Sequence, residues 1–197
     1  MTRPAWAVTI MLAAGTMAFI PAFKLSTVAN VALIYAAVPF LAAGLAWFWF
    51  QERPARRIVI ASIVAFVGVL IILAGSVGRV QIAGDALALW MTLMLAGIMV
   101  VYRRYPQTPA ALPAALSSVV LLPFCAVLGA PMQVSGQELP ILVAFGLVFA
   151  VASVTLSDGA RRLPPTETAL LSTLEMPLAP LFALLVLGTM PPAQVLI

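Results

Sequence analysis

Histidine is absent from this 197-residue chain, cysteine occurs once, and charged residues make up only 8% of it. Each shortage closes off a class of chemistry. Without histidine there is no His-based metal site, no Ser-His-Asp triad and no histidine proton relay. The lone Cys125 has no partner for an internal disulfide, and within an apolar run it reads as a small buried side chain. The six acids are Glu52, Asp85, Glu138, Asp158, Glu167 and Glu175. No two of them form a cluster suited to general acid–base work, so no enzyme, metal or cofactor is expected. The shortage of charge says most. A soluble domain carries about a quarter of its residues as charges, and this chain has too few to coat a globule of its size.

What is present is apolar: 64% of the residues are hydrophobic, with a mean hydropathy of +1.16. A bilayer is crossed by about 20 apolar residues in a helix. Seven such runs are expected, at 5–22, 28–50, 58–76, 84–102, 110–131, 140–157 and 166–188. They are continuous rather than alternating, which favours helices over a barrel. The first run follows Arg3 but lacks a small-residue cleavage site before a polar mature chain, so it reads as a span and not as a signal peptide. The expected fold class is an all-α integral membrane protein of seven transmembrane helices.

Basic residues set the orientation. Arg3, Arg53, Arg56, Arg57, Arg103, Arg104, Arg161 and Arg162 fall on one set of loops, whereas Lys24 and Arg79 fall on the other. Seven alternating spans place the larger set on one face without adjustment. By the positive-inside rule that face is cytoplasmic, with residue 1 inside and residue 197 outside. The arginine pairs have no interleaved aromatics and signal topology, not a nucleic-acid surface, despite the high pI.

An internal repeat is visible at an offset of 138 residues. It aligns "FKLSTVANVALIYAAVPFLAAGLAWFWFQERP" with "ARRLPPTETALLSTLEMPLAPLFALLVLGTMPP". Lys24 falls on Arg162, Leu25 on Leu163, Pro39 on Pro177 and Pro54 on Pro192. Each copy runs from a basic residue through a short turn to an apolar helix with a central proline. The copies are spans two and seven, which enter from opposite faces, so the repeat is inverted. Inverted repeats with interrupted helices are typical of secondary transporters. A proline removes a backbone donor and frees the carbonyl one turn earlier, which is tolerated where the break packs in protein or lines a cavity. Spans two and seven are therefore expected near the centre of the bundle, with Pro39 and Pro177 facing inward.

At these residues the chain resembles the EamA-type domain of the drug/metabolite transporter superfamily. The resemblance rests on "LIY", on "VPFLAAGLAWFWFQE" with its proline and terminal acid, on "RPARR", and on "IVIASIVAFVGVLIILAG". "GDALALWMTLMLAGIMVVYRR" is similar to the start of that family's second domain, and "ARRLPPTETALLSTLEMPLAPLFALLVLG" to its second proline helix. The resemblance implies ten helices in two inverted five-helix repeats that move small metabolites, amino acids or drugs. On that pattern residues 1–78 are the last three helices of the first repeat, and 79–197 the first four of the second. Two helices would be missing in front and one behind "PPAQVLI", as in a fragment or truncated gene product. The chain also departs from the pattern where Glu52 ends the first proline helix, since Thr189 or Met190 stands there in the second copy.

Glu175 is the sharpest candidate for contact with solute. It lies about nine residues into span seven, near the midplane at 1.5 Å per residue. An ionisable group there is costly and faces a cavity or a partner. Proton coupling or cation binding is one reading; a structural hydrogen bond to a neighbouring helix is the other. Asn30, Tyr35, Thr92 and Ser172, with Thr173, add polar groups that serve either a solute or interhelical packing. Trp90 could stack on a ligand or anchor an interface, and Trp47 and Trp49 read as anchors. Pro39 and Pro177 mark the breaks. Small residues four apart, as in Ala32 with Ala36, Ala42 with Ala46 and Ala61 with Ala65, read as packing positions. Glu52 reads either as a carboxylate capping the third span or as an interfacial charge paired with arginine.

Three functional classes follow: a multi-pass secondary transporter of small solutes in the cell (inner or plasma) membrane, a membrane-embedded assembly or scaffold subunit, and a nonfunctional fragment. The expected partners are the bilayer, a small-molecule solute and a proton as coupling ion, with a homodimer as a candidate assembly and no nucleic acid. The orientation has a direct test. Cysteines in place of Arg56, Arg103 or Arg161 should resist an impermeant thiol reagent in intact cells, while Arg79→Cys should label; external labelling at position 56 or 161 would reverse the topology.

Overall fold

A computed structural model describes residues 2–51, 55–73, 81–128, 136, 139–175 and 178. Its described elements are all helical: α1 (Arg3–Leu25), α2 (Val28–Tyr35), α3 (Val38–Phe50), α4 (Arg56–Leu73), α5 (Ile82–Arg104), α6 (Ala111–Leu128), α7 (Leu139–Arg162) and α8 (Pro165–Ser172). Each expected span has a counterpart, with span two divided into α2 and α3. Among the described residues, four stretches are long and apolar enough to cross a membrane: Arg3–Leu25, Val28–Phe50, Ile82–Arg104 and Leu139–Arg162. The far parts of the third, fifth and seventh expected spans lie outside the described residues, as do Glu52, Glu138, Pro177 and Arg79.

Helix starts follow from the local chemistry. Proline occupies the first turn of α1, α3 and α8, where its missing N–H has no intrahelical partner to lose. The Thr27 hydroxyl accepts from the Asn30 N–H at 3.1 Å and caps α2. At the far end of α3, Gln51 turns left-handed at φ 56° while its N–H bonds the Trp47 carbonyl at 2.9 Å. This stops the helix just before the basic loop.

Helix α5 is the hub, packing against α1, α2, α3, α7 and α8. The α1–α5 contact is lined by small residues: Ala18 and Ala22 of α1 and Ala88 of α5 are buried together with Val31 and Met91. A second cluster joins Val8, Val38, Ala42, Met99, Tyr102 and Ala169, linking α1, α3, α5 and α8. Small side chains let backbones approach, which is how helices associate where a general hydrophobic drive is weak. The approach is closest at Gly84, where a Cβ would strike the Leu25 carbonyl and lie 2.6 Å from the Ser26 Cβ.

A polar clip closes the same end. One oxygen of Asp85 accepts from the Ser26 hydroxyl and, at 3.5 Å, from the Asn30 amide; the other accepts from the Gln81 N–H at 3.0 Å. The carboxylate thus caps the start of α5 and ties the α1–α2 turn to it. At the opposite end Arg161 pairs with Asp158 and donates to the carbonyls of Pro106 and Thr108 at 3.4 and 3.3 Å. Arg162 pairs with Asp158 at 2.9 Å. The end of α7 and the loop after α5, both in the larger basic set, therefore meet.

The outer surface is apolar. Phe48 is 76% exposed, and Ile141, Phe145 and Val148 project freely from α7. Cys125 corrects the expectation of burial: it is exposed on α6, whose Leu122 and Phe124 also face outward. Apolar composition alone does not separate an outward apolar side chain from an inward one.

Gly84→Val should be among the most damaging single changes in the bundle. Overpacking of this kind costs about 1–3 kcal/mol, and thermal unfolding of the purified chain should show it. Ser26→Ala, which removes one donor to Asp85, should cost about 1 kcal/mol. A Gly84→Val protein as stable as the parent would disprove the close approach.

Candidate functional site

The two copies of the proline-helix repeat fold alike at their breaks. Helix α2 runs eight residues to Tyr35, and α8 runs eight residues to Ser172. After α2 the Ala36 N–H bonds the Ala32 carbonyl at 2.9 Å, and Ala37 reaches only three residues back, to Ile34, at 3.1 Å. After α8 the Thr173 N–H bonds Ala169 at 3.2 Å, and Leu174 likewise reaches three back, to Leu171, at 3.2 Å. The capping residues match too: Ala36 has φ −61° and ψ −14°, Thr173 φ −69° and ψ −12°. One tightened turn replaces the regular ladder in each copy.

These hydrogen bonds correspond at an offset of 137, one less than the offset that superposes Pro39 and Pro177. The break therefore does not sit at a fixed distance from its proline. In the first copy Pro39 occupies the first turn of α3 and is buried. Pro177 lies outside the described residues.

Helix α8 packs against α3, and this brings the ends of the two half-helices together. The Tyr35 side chain, at the last residue of α2, stands beside that of Glu175, three residues beyond α8. The pair joins positions 140 residues apart at the two breaks. No lysine or arginine forms an ion pair with Glu175 among the described residues, where the salt bridges are those of Asp158. A carboxylate and a phenol set between interrupted helices can accept a proton or a cation and pass a hydrogen bond from one helix to the other.

The remaining sequence candidates lie elsewhere. Asn30 is buried and turned to Asp85 in the clip. Thr92 is fully buried and its hydroxyl bonds the Ala88 carbonyl of its own helix at 2.6 Å. Ser172 likewise bonds the Thr168 carbonyl at 2.9 Å, and Thr173 bonds Leu170 at 2.7 Å. Trp90 is half exposed on α5. Among the described members of the set, Tyr35 and Glu175 are the two brought together from different copies. The clip around Asp85 was not anticipated, although its signal was present: an acid in the first turn of a helix and a Ser-Thr turn two spans earlier. No group of three or more acids or cysteines able to hold a metal occurs among the described residues.

Comparison with known proteins adds the fold and no more. No protein-family model matches the chain, and no curated protein matches it. One solved structure, described only as a crystal structure of a protein, superposes with a TM-score of 0.84 at 21% identity, covering 99% of this chain and 71% of its own. At that identity the likeness establishes a shared arrangement of helices.

The pairing has its own test. Tyr35→Phe and Glu175→Gln should each lower thermal stability by about 1 kcal/mol, and the double variant should lose less than the sum of the two. Strict additivity would mean that the two side chains do not interact.

Proposed function

We propose that the chain is a multi-pass membrane protein of the cell (inner or plasma) membrane that acts as a secondary transporter of small solutes by alternating access, of the kind found in the EamA-type drug/metabolite transporters. One observation carries the reading: two helices with the same tightened turn, drawn from copies of one repeat, meet at a carboxylate–phenol pair. Interrupted helices from inverted repeats are where transporters build solute and coupling-ion sites, and an ionisable residue within a span is a functional residue by default. Apolar helices of spanning length, the apolar outer surface and the grouping of arginines toward one end support the membrane placement.

In this reading Glu175 exchanges a proton or holds a cationic solute, and Tyr35 holds the carboxylate in place. The half-helix ends move relative to each other as the chain changes the side from which it is open. The test is uptake or efflux by the protein in proteoliposomes, or in cells, across a solute panel and a range of pH. Glu175→Gln keeps the shape and removes the charge change; it should lower the rate at least tenfold, the equivalent of about 1.4 kcal/mol, and flatten the pH dependence. Tyr35→Phe should retain the pH dependence with a reduced rate. An unchanged rate and pH profile in Glu175→Gln would remove the coupling role and leave the acid as a hydrogen-bonding partner.

A further inference from the structure

Helix α7 is held to the bundle by one end. Its residues from Leu139 to Ala152 are exposed throughout, and Ser157 and Ala160 are its buried positions. There it closes on α5 and on the loop after α5, beside a recess of about 50 Å³ whose walls include Leu12, Leu95, Tyr102, Ser153, Ser157 and Ala160. We propose that this seam is a water gate at the arginine-rich end, latched by Arg161, which parts to admit water toward the Tyr35–Glu175 pair. The inference deepens the transporter reading above and rests on it for the purpose of the gate, though not for its opening.

The seam buries polarity that it does not pair. Among the described residues, four buried side-chain polar atoms have no hydrogen-bond partner, and three of them lie here: the Tyr102 and Thr108 hydroxyls and the Arg161 Nε. Tyr102 stands in the last turn of α5 beside Ser157, Thr108 in the loop that follows, and Arg161 in the last turn of α7. The hydrogen bonds that fasten α7 to the loop come from a single side chain. The Arg161 guanidinium donates to the carbonyls of Pro106 and Thr108 at 3.4 and 3.3 Å. A buried polar atom left unpaired costs more than an ordinary hydrogen bond returns, so closure here is penalised at three atoms. Parting the seam lets water pair all three, while Arg161 keeps its ion pair with Asp158 on its own helix.

The other end of α5 is built differently. Both Asp85 oxygens are engaged, and Gly84 lies against the Leu25 carbonyl. That end is paired and tightly packed, whereas the Arg161 end is closed but unsatisfied, and local opening starts where closure is worth least. The recess behind the seam has room for about three waters at roughly 15 Å³ each, and Ser153 and Ser157 offer hydroxyls to hold them. Its walls share Tyr102 and Ala160 with the buried cluster on which Tyr35 packs. Water that passes the seam therefore advances on the carboxylate–phenol pair.

The experiment uses the full chain in lipid nanodiscs with Cys125→Ser, so that Ser157→Cys is the reporter. The rate at which a small water-soluble methanethiosulfonate reagent modifies that buried position measures how often the seam parts. Arg161→Gln, which removes the latch, should raise the rate about tenfold, and Tyr102→Phe, which removes one unpaired atom from the closed seam, should slow it about threefold. Arg162→Gln should leave it unchanged, because the Arg162 side chain is 75% exposed and its ion pair is with Asp158 of its own helix. No modification in any variant, a rate indifferent to Arg161→Gln, or equal acceleration by Arg161→Gln and Arg162→Gln would overturn the gate. Thermal unfolding separates an opened seam from a loosened fold. If Arg161→Gln does not fold, Tyr102→Phe decides: a rate equal to that of the parent would overturn the proposal. Labelling requires no transport. A gate that responds as stated in a chain that moves no solute would stand while the transporter reading fell, and transport by a chain whose seam ignores Arg161→Gln would do the reverse.

Discussion

In the membrane placement proposed above, the chain must satisfy its backbone polar groups from within, and the helical architecture answers that requirement. Every described element is a helix, the one spanning form whose N–H and C=O groups pair inside a single segment. The exceptions are concentrated at ends and breaks, and several have a local remedy. Proline opens three helices where a donor would be stranded, and Thr27 and Asp85 cap two others. At the two breaks a bond three residues back replaces the regular one, so continuity is kept while the axis is freed to change direction.

Packing obeys a second requirement, that backbones approach closely enough for weak contacts to add up. Helix α5 meets five others, and its contact with α1 sets glycines and alanines against larger side chains, Met94 over Gly15 and Met11 over Gly97. Polar groups then fix register at the two ends. Asp85 ties the α1–α2 turn to α5, and Arg161 ties α7 to the loop after α5. Both ties reach across elements that are distant in sequence, so they set how the helices align along their axes and not merely which faces touch.

Much of the helical layout was legible in the sequence because long apolar runs and their punctuation are local signals. The division of span two at Pro39 and the likeness of α8 to α2 were legible for the same reason. The pairing of Tyr35 with Glu175 was not, since no local pattern relates residues 140 positions apart; only the packing of α8 on α3 creates it. Asn30, Thr92 and Ser172 looked equivalent to those two by residue type. Whether a polar side chain turns to its own helix, to a cap or to a facing helix depends on where its neighbours stand. Cys125 failed for the converse reason: an apolar run does not say which side of the helix is covered.

The two breaks share a geometry, yet the repeat does not duplicate the pair that joins them. In the register set by the hydrogen bonds, Ser172 occupies the place of Tyr35, and Val38 occupies that of Glu175. Ser172 spends its hydroxyl on the preceding turn, and Val38 is fully buried in an apolar cluster. Two backbones alike at their breaks therefore carry different side chains, a phenol in one copy and an acid in the other. Exchanging the roles of the two copies would reproduce the shape but not the electrostatics, so for the proposed transporter the inward- and outward-open forms are not mirror images in free energy. In that proposal, which copy holds the acid would set the resting preference for one of them.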